Sequence, residues 1–252
     1  MSQQEFTMLV YGWIVLALLL APVQFFIIPP YGRHARGNWG PQISNRSGWI
    51  IMELVAPLAL LLPFVGRGIP TNPVIALFMV MFLVHYLYRA LIYPFTMRTT
   101  GKRIPLLIVL FAVGFNAING WMNGYYLAGP WAHYPSDWIT DWRFIAGVAL
   151  FLAGAIINQW ADRRLVNLRG PGKKAYSIPR GGLFEFVSCP NHFGEILEWA
   201  GFALACWNLP AAAFAAWTAS NLVPRAVAHH RWYRENFPTY PSSRKALIPF
   251  LL

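Results

Sequence analysis

Seven stretches of apolar residues dominate the chain, and short polar segments separate them. Five are long, and each approaches the roughly 20 residues that a helix needs to cross about 30 Å of hydrocarbon. The seven stretches are residues 8–28, 48–65, 72–93, 104–127, 143–161, 193–207 and 211–228. The pattern predicts an all-α, polytopic membrane bundle of seven transmembrane helices.

The last two stretches are shorter, and Asn208-Leu209-Pro210 lies between them. A proline at this position ends one helix and begins the next. The two helices can form either full spans or a shallow hairpin, and in both arrangements the chain returns to the side that it left. The sequence contains no internal repeat and no linker long enough to separate two domains. We therefore expect a single membrane-embedded domain over residues 1–252.

The basic residues are concentrated in alternate connections between the apolar stretches. The connections after the first, third and fifth stretches, together with the C-terminal tail, hold most of the 20 Lys and Arg residues. The remaining connections hold only Arg67 and Arg143, and Glu5, Asp137 and Asp141 lie on that side. Because loops rich in Lys and Arg stay in the cytosol, the N-terminus is predicted outside and the C-terminus in the cytosol. A bacterial inner membrane or the endoplasmic reticulum suits this orientation.

The composition excludes an ordinary soluble domain. Charged residues make up only 12% of the chain, whereas a soluble domain usually carries about 25%. The net charge of +11 does not indicate nucleic acid binding, since the basic residues form short clusters that suit loops at an anionic membrane surface. Cys189 and Cys206 support no disulfide framework. The first residues lack the basic segment of a cleavable signal, so the first stretch is expected to remain as a span.

Ionisable side chains inside apolar stretches are the strongest functional signal, because their burial in lipid is costly. These residues are Glu53, His85, Arg89, Glu195, Glu198 and Arg225, with Tyr86, Asn158, Asp162 and His229 close by. The predicted topology places all of them near the cytosolic ends of their helices. Residues that serve only packing would be spread over both interfaces, so the clustering predicts a functional site in the cytosolic half of the membrane.

Residue spacing supports the clustering. Asn158 and Asp162 are four residues apart, as are Asn191 and Glu195, so each pair shares a helix face. For any one pair, the alternative is that the polar groups join packed helices and have no chemical role. The connection over residues 162–190 contains glycines and basic residues that could hold phosphates, but no GxGxxG motif follows a strand there. The histidines do not have the spacing of metal ligands, and no metal site is predicted.

Two long motifs occupy the second half of the chain, AYSIPRGGLFEFVSCPNHFGEILEWAGFALACWNLPAAAF and HHRWYRENFPTYPSSRKALIPFLL. They resemble the steroid 5-alpha-reductase family, the 3-oxo-5-alpha-steroid 4-dehydrogenases. The resemblance is strong over residues 158–252, where the motifs agree in order and spacing. In the first half it is carried by MELVAP, which contains Glu53, and by HYLYRALIY.

The resemblance implies an enzyme with seven membrane helices that uses NADPH to reduce the C4–C5 double bond of 3-oxo-delta-4 steroids to 5-alpha-3-oxo steroids. Glu53 and Tyr86 look like the catalytic pair that grips the 3-oxo group. The residues that look like cofactor contacts are Arg89, Asn158, Asp162, Arg169, Tyr176, Asn191, Glu195, Arg225, His229 and Tyr233. The stretch PFTMRTTGKRI departs from the vertebrate pattern, so Arg98, Lys102 and Arg103 receive no cofactor role.

The implied chemistry suits these residue types. Hydride addition to an enone places negative charge on the 3-oxo oxygen, and hydrogen-bond donors aimed at that oxygen lower the barrier. A tyrosine hydroxyl and a protonated carboxyl in an apolar site are both such donors, and ketosteroid isomerase uses that combination on an unrelated fold. The expected partners are a steroid that enters from the lipid and the membrane lipids themselves, without nucleic acid or an obligatory protein partner.

Three other functions remain open from the sequence. A reductase of another sterol or enoyl lipid would keep the NADPH chemistry. A membrane methyltransferase of the isoprenylcysteine type has a comparable polar C-terminal region but binds a methyl donor. A lipid-binding membrane protein without enzymatic activity is the third. An intramembrane Glu53 in the same half of the membrane as Tyr86 favours a reductase that polarises a carbonyl group over the methyltransferase.

Overall fold

A computed structural model describes residues 1–30, 32–34, 39–68, 70–98, 101–168 and 176–252. Most of these residues are helical, and each apolar stretch of the sequence corresponds to a helix. The helices are α1 (Gln3–Gln24), α2 (Asn45–Leu61), α3 (Pro73–Leu87), α4 (Tyr93–Thr96), α5 (Leu106–Leu127), α6 (Trp142–Leu168), α7 (Pro190–Cys206) and α8 (Leu209–Asn236). A π-helix over Tyr88–Ile92 joins α3 to α4.

Within the described residues, five helical segments are long and apolar enough to cross a membrane. They are Gln3–Gln24, Asn45–Phe64, Pro73–Thr96, Leu106–Leu127 and Trp142–Leu168. Many large apolar side chains on these helices are exposed, among them Leu19, Phe111 and Ile156, as is typical of an integral multi-pass membrane protein. Helix α7 has 17 residues, and α8 combines an apolar first half with a charged second half. Seven spans and the orientation of the termini stay predictions.

The chain divides into two compact units, and the first comprises Met1–Val10, Pro29–Ile145 and Asn208–Ala211. In this unit α2 packs against α5 at two glycines, since a Cβ at Gly120 or Gly124 would overlap the backbone carbonyl of Ala56 or Leu60. Two short antiparallel strands, β1 (Gln42–Ser44) and β2 (Arg103–Pro105), pair beside the starts of α2 and α5. Small residues thus bring two helices close enough for polar side chains to bond across them.

The second unit comprises Tyr11–Ile28, Ala146–Trp207 and Ala212–Leu252. Its helices α6 and α7 meet at two pairs of glycines, Gly147 with Gly201 and Gly154 with Gly194, where the backbones leave no room for a Cβ. Trp199 is fully buried and packs against Phe151, Phe202 and Phe214. Whether the two units act as the single domain predicted for residues 1–252 stays a prediction.

Substitution at this glycine contact should destabilise the second unit. A Cβ at Gly154 would meet the amide nitrogen of Glu198 and the carbonyl of Gly194, so Gly154→Ala must separate the two helices, at a typical overpacking cost of about 1–3 kcal/mol. We expect a lower melting temperature in detergent for Gly154→Ala. The matched control is Gly114→Ala in α5, where the structure shows no atom within 4 Å of the added carbon. Equal melting temperatures in both variants would contradict this packing.

Candidate active site

Glu53 and Arg89 form a buried ion pair in the first unit. An Nη atom of Arg89 lies 3.5 Å from a carboxylate oxygen of Glu53, and the side chains are only 11% and 12% exposed. The Arg89 guanidinium also lies 4.8 Å from the ring centres of both Trp49 and Tyr93, a separation typical of cation–π contacts. The cost of burying the Glu53 carboxylate is therefore offset in part by the Arg89 cation.

A second polar contact lies between α2, α3 and α5. The Tyr86 hydroxyl donates to Asn116 Oδ1 over 3.2 Å, and Asn116 Nδ2 donates to the backbone carbonyl of Met52 over 2.6 Å. Because Met52 accepts from the amide nitrogen, the amide oxygen of Asn116 is turned towards Tyr86. Asn116 thereby holds the Tyr86 ring near Met52, the residue before Glu53.

Local irregularities accompany both contacts. Arg89 lies in the π-helical turn Tyr88–Ile92, and such turns occur frequently at functional sites because they change the direction of the side chains that follow. Pro57 lies inside α2, four residues after Glu53. Since proline has no amide hydrogen, the regular helical hydrogen bond to the Glu53 carbonyl cannot form. Glu53 therefore lies beside a missing backbone hydrogen bond, and Arg89 lies in a π-helical turn.

Sequence reasoning missed Asn116, because it searched the apolar stretches for ionisable groups. A signal was available, since Asn116, Asn119 and Asn123 lie three and four residues apart in an otherwise apolar run, which places them on one helix face. All three are buried. An uncharged amide inside a predicted span is informative in the same way as a charge, because in lipid it too must find a partner.

Removal of Asn116 should destabilise the first unit. Asn116→Ala removes the acceptor of the Tyr86 hydroxyl and the donor to the Met52 carbonyl, and an unsatisfied buried group costs about 1–3 kcal/mol. The melting temperature in detergent is the measurement. Asn236→Ala is the control, because Asn236 makes the same type of bond, to the Trp232 carbonyl, at an exposed position. Equal changes in melting temperature for Asn116→Ala and Asn236→Ala would show that the buried Asn116 amide is not structurally important.

The second unit brings together four of the predicted cofactor residues. Asn158 Nδ2 donates to the Asn191 carbonyl over 2.9 Å and to a Glu195 carboxylate oxygen over 3.3 Å. Asn191 Nδ2 donates to Asp162 Oδ1 over 3.1 Å. The two pairs that sequence spacing placed on helix faces therefore face each other, one on α6 and one on α7. The close glycine contact at Gly154 and Gly194 lies beside them and allows this approach.

Three further predicted cofactor residues lie along one face of α8. Arg225, His229 and Tyr233 follow one another at intervals of four residues, and all are buried. The His229 ring lies 5.4 Å from the ring of His192 in α7. Tyr176, outside the helices, contacts Trp232 with ring centres 5.1 Å apart. Asn191, His192 and Glu195 of α7 and this face of α8 thus present amide, carboxylate, imidazole, phenol and guanidinium groups within one unit.

Two predicted cofactor residues are not part of these groups. Arg89 belongs to the first unit, where it pairs with Glu53. Arg169 lies outside the described residues, together with Lys173 and Lys174 in the same connection. The role of each as a cofactor contact stays a prediction.

A junction around Ser188 fixes the start of α7. The Ser188 hydroxyl lies 2.6 Å from His230 Nδ1 and 2.6 Å from the Tyr240 hydroxyl, and 3.1 Å from the Lys245 carbonyl. Burial raises the pKa of the Tyr240 phenol above its usual range, so the phenol keeps its proton at neutral pH. The C-terminal tail therefore holds the segment that leads into Asn191, a contact that the sequence did not reveal.

A buried arginine strengthens the same region. The Arg244 guanidinium donates to the Pro179 carbonyl over 2.8 Å and pairs with Glu185 at 3.2 Å. A hydrogen bond from the Gly181 amide, together with Arg244, lowers the pKa of the Glu185 carboxyl. Cys189 and Cys206 are both buried.

Buried charges and amides inside long apolar helices are typical of a membrane-embedded enzyme. Residues 102–252 match the sequence profile of the family described as 3-oxo-5-alpha-steroid 4-dehydrogenase. The chain is similar to 3-oxo-5-alpha-steroid 4-dehydrogenase 1 of Macaca fascicularis, with 47% identity over 88% of this chain and 84% of the relative. Identity to the Homo sapiens protein of the same name is 45%, over 88% and 85%. Identity to steroid 5-alpha-reductase DET2 of Gossypium hirsutum is 42%, over 90% of each chain.

The chain belongs to the 3-oxo-5-alpha-steroid 4-dehydrogenase family and is an enzyme, an oxidoreductase. The resemblance found in the sequence is thereby confirmed, and it extends from the first half of the chain to the C-terminus.

Proposed function

We propose that the protein reduces the C4–C5 double bond of a 3-oxo-delta-4 steroid to the 5-alpha-3-oxo product with NADPH. The observation that supports this most is the pair of buried contacts, Glu53 with Arg89 and Tyr86 with Asn116, in a chain similar to named steroid 5-alpha-reductases. Both contacts lie in apolar helices, where hydrogen-bond donors are worth more than in water.

Tyr86 is proposed to donate to the steroid 3-oxo oxygen. A hydride that adds to C5 moves an electron pair from the double bond through C4 towards this oxygen, which becomes negatively charged. The Tyr86 hydroxyl has one proton, given to Asn116 in the structure, so it must rotate towards the substrate when the carbonyl binds. A proton added at C4, from solvent or a relay, completes the saturated ketone.

Glu53 is proposed to act with Tyr86 on the same oxygen. A carboxyl group donates a hydrogen bond only while it carries a proton. When it does not, Arg89 at 3.5 Å stabilises the charge. In this proposal Glu53 acts as a second donor when it carries a proton, and it pairs with Arg89 when it does not. Trp49 and Tyr93 lie against the guanidinium.

NADPH is proposed to bind to the polar groups of the second unit, and when bound it supplies the hydride. The donor set fits a dinucleotide: a buried guanidinium from Arg225 suits phosphate, and amides and carboxylates suit ribose hydroxyls and a carboxamide. The residues proposed to hold it are Asn158, Asp162, Arg169, Tyr176, Asn191, Glu195, Arg225, His229 and Tyr233, with Arg89 of the first unit as a further contact. Asn158 and Asn191 are already oriented by their bonds across α6 and α7.

Arg169→Ala should raise the KM for NADPH more than the KM for NADH. The basic connection of Arg169, Lys173 and Lys174 is proposed to meet the 2′-phosphate that distinguishes the two cofactors, as arginine does at other such sites. The measurement is a pair of initial-rate titrations, one with each cofactor. Arg231→Gln, which removes an exposed charge on α8, is the control. An equal increase in KM for both cofactors would show that Arg169 supports the loop and does not read the phosphate.

The proposed topology has seven spans, an outer N-terminus and a cytosolic C-terminus, with the active site in the cytosolic half of the membrane. It is supported by the alternation of basic connections along the chain and by the exposed apolar surfaces of the long helices. A steroid, which is itself apolar, would then enter from the lipid between helices.

The direct test is turnover of a 3-oxo-delta-4 steroid by the purified protein. With NADPH present, the proposal expects the product to be the saturated 3-oxo steroid with 5-alpha configuration, identified by chromatography against both C5 epimers. Parallel reactions with a sterol that lacks the 3-oxo group and with an enoyl thioester test the other reductase functions. Consumption of NADPH with one of those substrates and none with the steroid would replace the proposed substrate.

A further inference from the structure

A basic groove lies on the side of α6 that faces away from α7. It has a volume of about 300 Å³ and is lined by Ile156, Gln159, Trp160, Arg163, Arg164 and Asn167. A second pocket of about 320 Å³ shares Arg164 and Asn167 with it and extends to Pro179 and Arg180. The two pockets form one surface, which we name the α6 groove.

The groove is separate from the polar network of α6 and α7. Gly154, Asn158 and Asp162 occupy the face of α6 that packs on α7. At 3.6 residues per turn, Ile156, Trp160 and Arg163 lie on roughly the opposite face. The groove therefore opens away from Asn158, Asp162 and the side chains of α7 that they contact.

The walls of the groove change from apolar to basic along the helix. Ile156 is 68% exposed and Leu152, one turn earlier, is also exposed, as suits contact with acyl chains. Trp160 follows at the end of the apolar stretch, where tryptophan typically marks the level of lipid head groups. Arg163, Arg164 and Asn167 come next and are exposed.

The charge of the groove is not balanced by acidic side chains. Within the part of the chain that the structure describes, none of Arg163, Arg164 and Arg180 forms a salt bridge. Arg180 contributes to the lowered pKa of Glu185, but that carboxylate already pairs with Arg244 at 3.2 Å. The groove therefore has a net positive charge that can bind an anion.

Neighbouring side chains orient the arginines without neutralising them. Arg163 is within 3.4 Å of Gln159 Oε1. The Arg164 guanidinium lies 5.7 Å from the centre of the Trp160 ring. The Arg164 guanidinium thus lies against Trp160 and that of Arg163 against Gln159, where the apolar wall ends.

The backbone holds the edge of the groove in place. Gly182, with φ of +56°, packs on the Trp160 ring so closely that a Cβ would overlap it. Trp160 also contacts Phe184, with ring centres 5.7 Å apart. The segment that carries Arg180 is therefore fixed against the tryptophan, and Arg180 and Arg164 line the same pocket.

We propose that the α6 groove binds the phosphate of an anionic membrane phospholipid, whose acyl chain lies along Leu152 and Ile156. Basic pockets on the cytosolic side of membrane helices bind such head groups. Charge complementarity supports an anion, and the continuous exposed apolar wall below Trp160 supports a lipid over a soluble phosphate. This proposal rests on the proposed membrane topology and does not depend on the substrate of the enzyme.

The test is a titration of the full-length protein in detergent with dioleoyl phosphatidylglycerol and with dioleoyl phosphatidylcholine, followed by native mass spectrometry. We expect the first phosphatidylglycerol to bind more tightly than phosphatidylcholine. Arg164→Gln/Arg180→Gln should weaken that first binding event about thirtyfold, at about 1 kcal/mol for each basic residue. Both positions are exposed, so the folded state should keep its melting temperature.

The matched control is Arg231→Gln/Arg234→Gln, which removes two exposed charges from α8 in the same unit. It should leave the first phosphatidylglycerol binding event within about twofold of the unmodified protein, the scale of one screened surface interaction. Equal affinity for the two lipids, or equal losses in the two double variants, would overturn the proposal. Glycerol 3-phosphate that displaced the lipid at equal concentration would overturn it as well, since the groove would then be a site for soluble phosphate.

Discussion

Tyr86→Phe should lower the turnover of a 3-oxo-delta-4 steroid by about 10²–10³, the usual loss when one donor to a developing oxyanion is removed. The substitution deletes only the hydroxyl, so Asn116 loses a donor but the ring and its neighbours remain. Stability should fall by about 1 kcal/mol, the net value of one buried hydrogen bond. Rates and melting temperatures measured on the same detergent preparation separate the two effects.

Tyr88→Phe is the control for this variant, since Tyr88 lies two residues further along, at the start of the π-helix. It should keep normal turnover. If Tyr86→Phe also kept near-normal turnover, Tyr86 would be a packing residue and would have no part in the reaction.

Glu53→Ala should destabilise the protein by about 3–5 kcal/mol, the typical result when one member of a buried ion pair is removed. Arg89, at 3.5 Å from the lost carboxylate, would remain buried in an apolar surrounding without this partner. Turnover should fall as well, and Glu53→Gln, which keeps a donor, should lose less turnover than Glu53→Ala. Thermal unfolding in detergent measures the first effect, and steroid turnover measures the second.

Asp141→Asn is the matched control, because Asp141 pairs with Arg143 at 2.7 Å but is partly exposed. The hydrogen bonds from Arg143 lower the pKa of Asp141 to about 2. This pair therefore stabilises the fold at neutral pH and is lost only as the pH falls towards 2. Its removal should change the melting temperature little, as is usual for exposed pairs. A similar fall in melting temperature for Glu53→Ala and Asp141→Asn would show that the buried ion pair stabilises the fold no more than the exposed pair.

The two catalytic variants should also interact. If Glu53 and Tyr86 act on one oxygen, Tyr86→Phe combined with Glu53→Ala should lose far less than the product of the single losses in turnover. Independent, multiplicative losses would place the two residues in separate roles.

Much of the helical framework could be predicted from the sequence, because a long apolar run has few alternatives to a helix in lipid. Each of the seven runs coincides with a helix of the structure. Spacing also placed Asn158 with Asp162, and Asn191 with Glu195, on one helix face each. The contacts between the two faces, beside Gly154 and Gly194, come from the structure.

The partners of Glu53 and Tyr86 could not be predicted in the same way. Periodicity assigns a residue to a face of its own helix, but it does not say which face of a distant helix lies opposite. Glu53 pairs with Arg89, which lies in a π-helical turn. No simple pattern of residues in the sequence indicates this turn. Asn116, the acceptor of Tyr86, is uncharged and therefore stands out less than a carboxylate in an apolar run.

The contacts of Ser188 also could not be predicted, because its partners are distant in the chain. Its partners His230, Tyr240 and Lys245 lie more than 40 residues away along the chain. No motif or spacing in the sequence indicates that they contact Ser188. Such contacts depend on how the tail folds back along the start of α7, and only the structure shows this.

In the proposed mechanism, NADPH delivers a hydride to C5 of an enone whose 3-oxo oxygen is held by Tyr86 and Glu53. The most direct measurement uses NADPH that carries deuterium at the transferable position, the purified protein and a 3-oxo-delta-4 steroid, with the product examined by NMR and mass spectrometry. The account predicts one deuterium at C5 in the 5-alpha product and none at C4. Deuterium at C4, at the reduced C3 of an unsaturated alcohol, or nowhere in the steroid would contradict it.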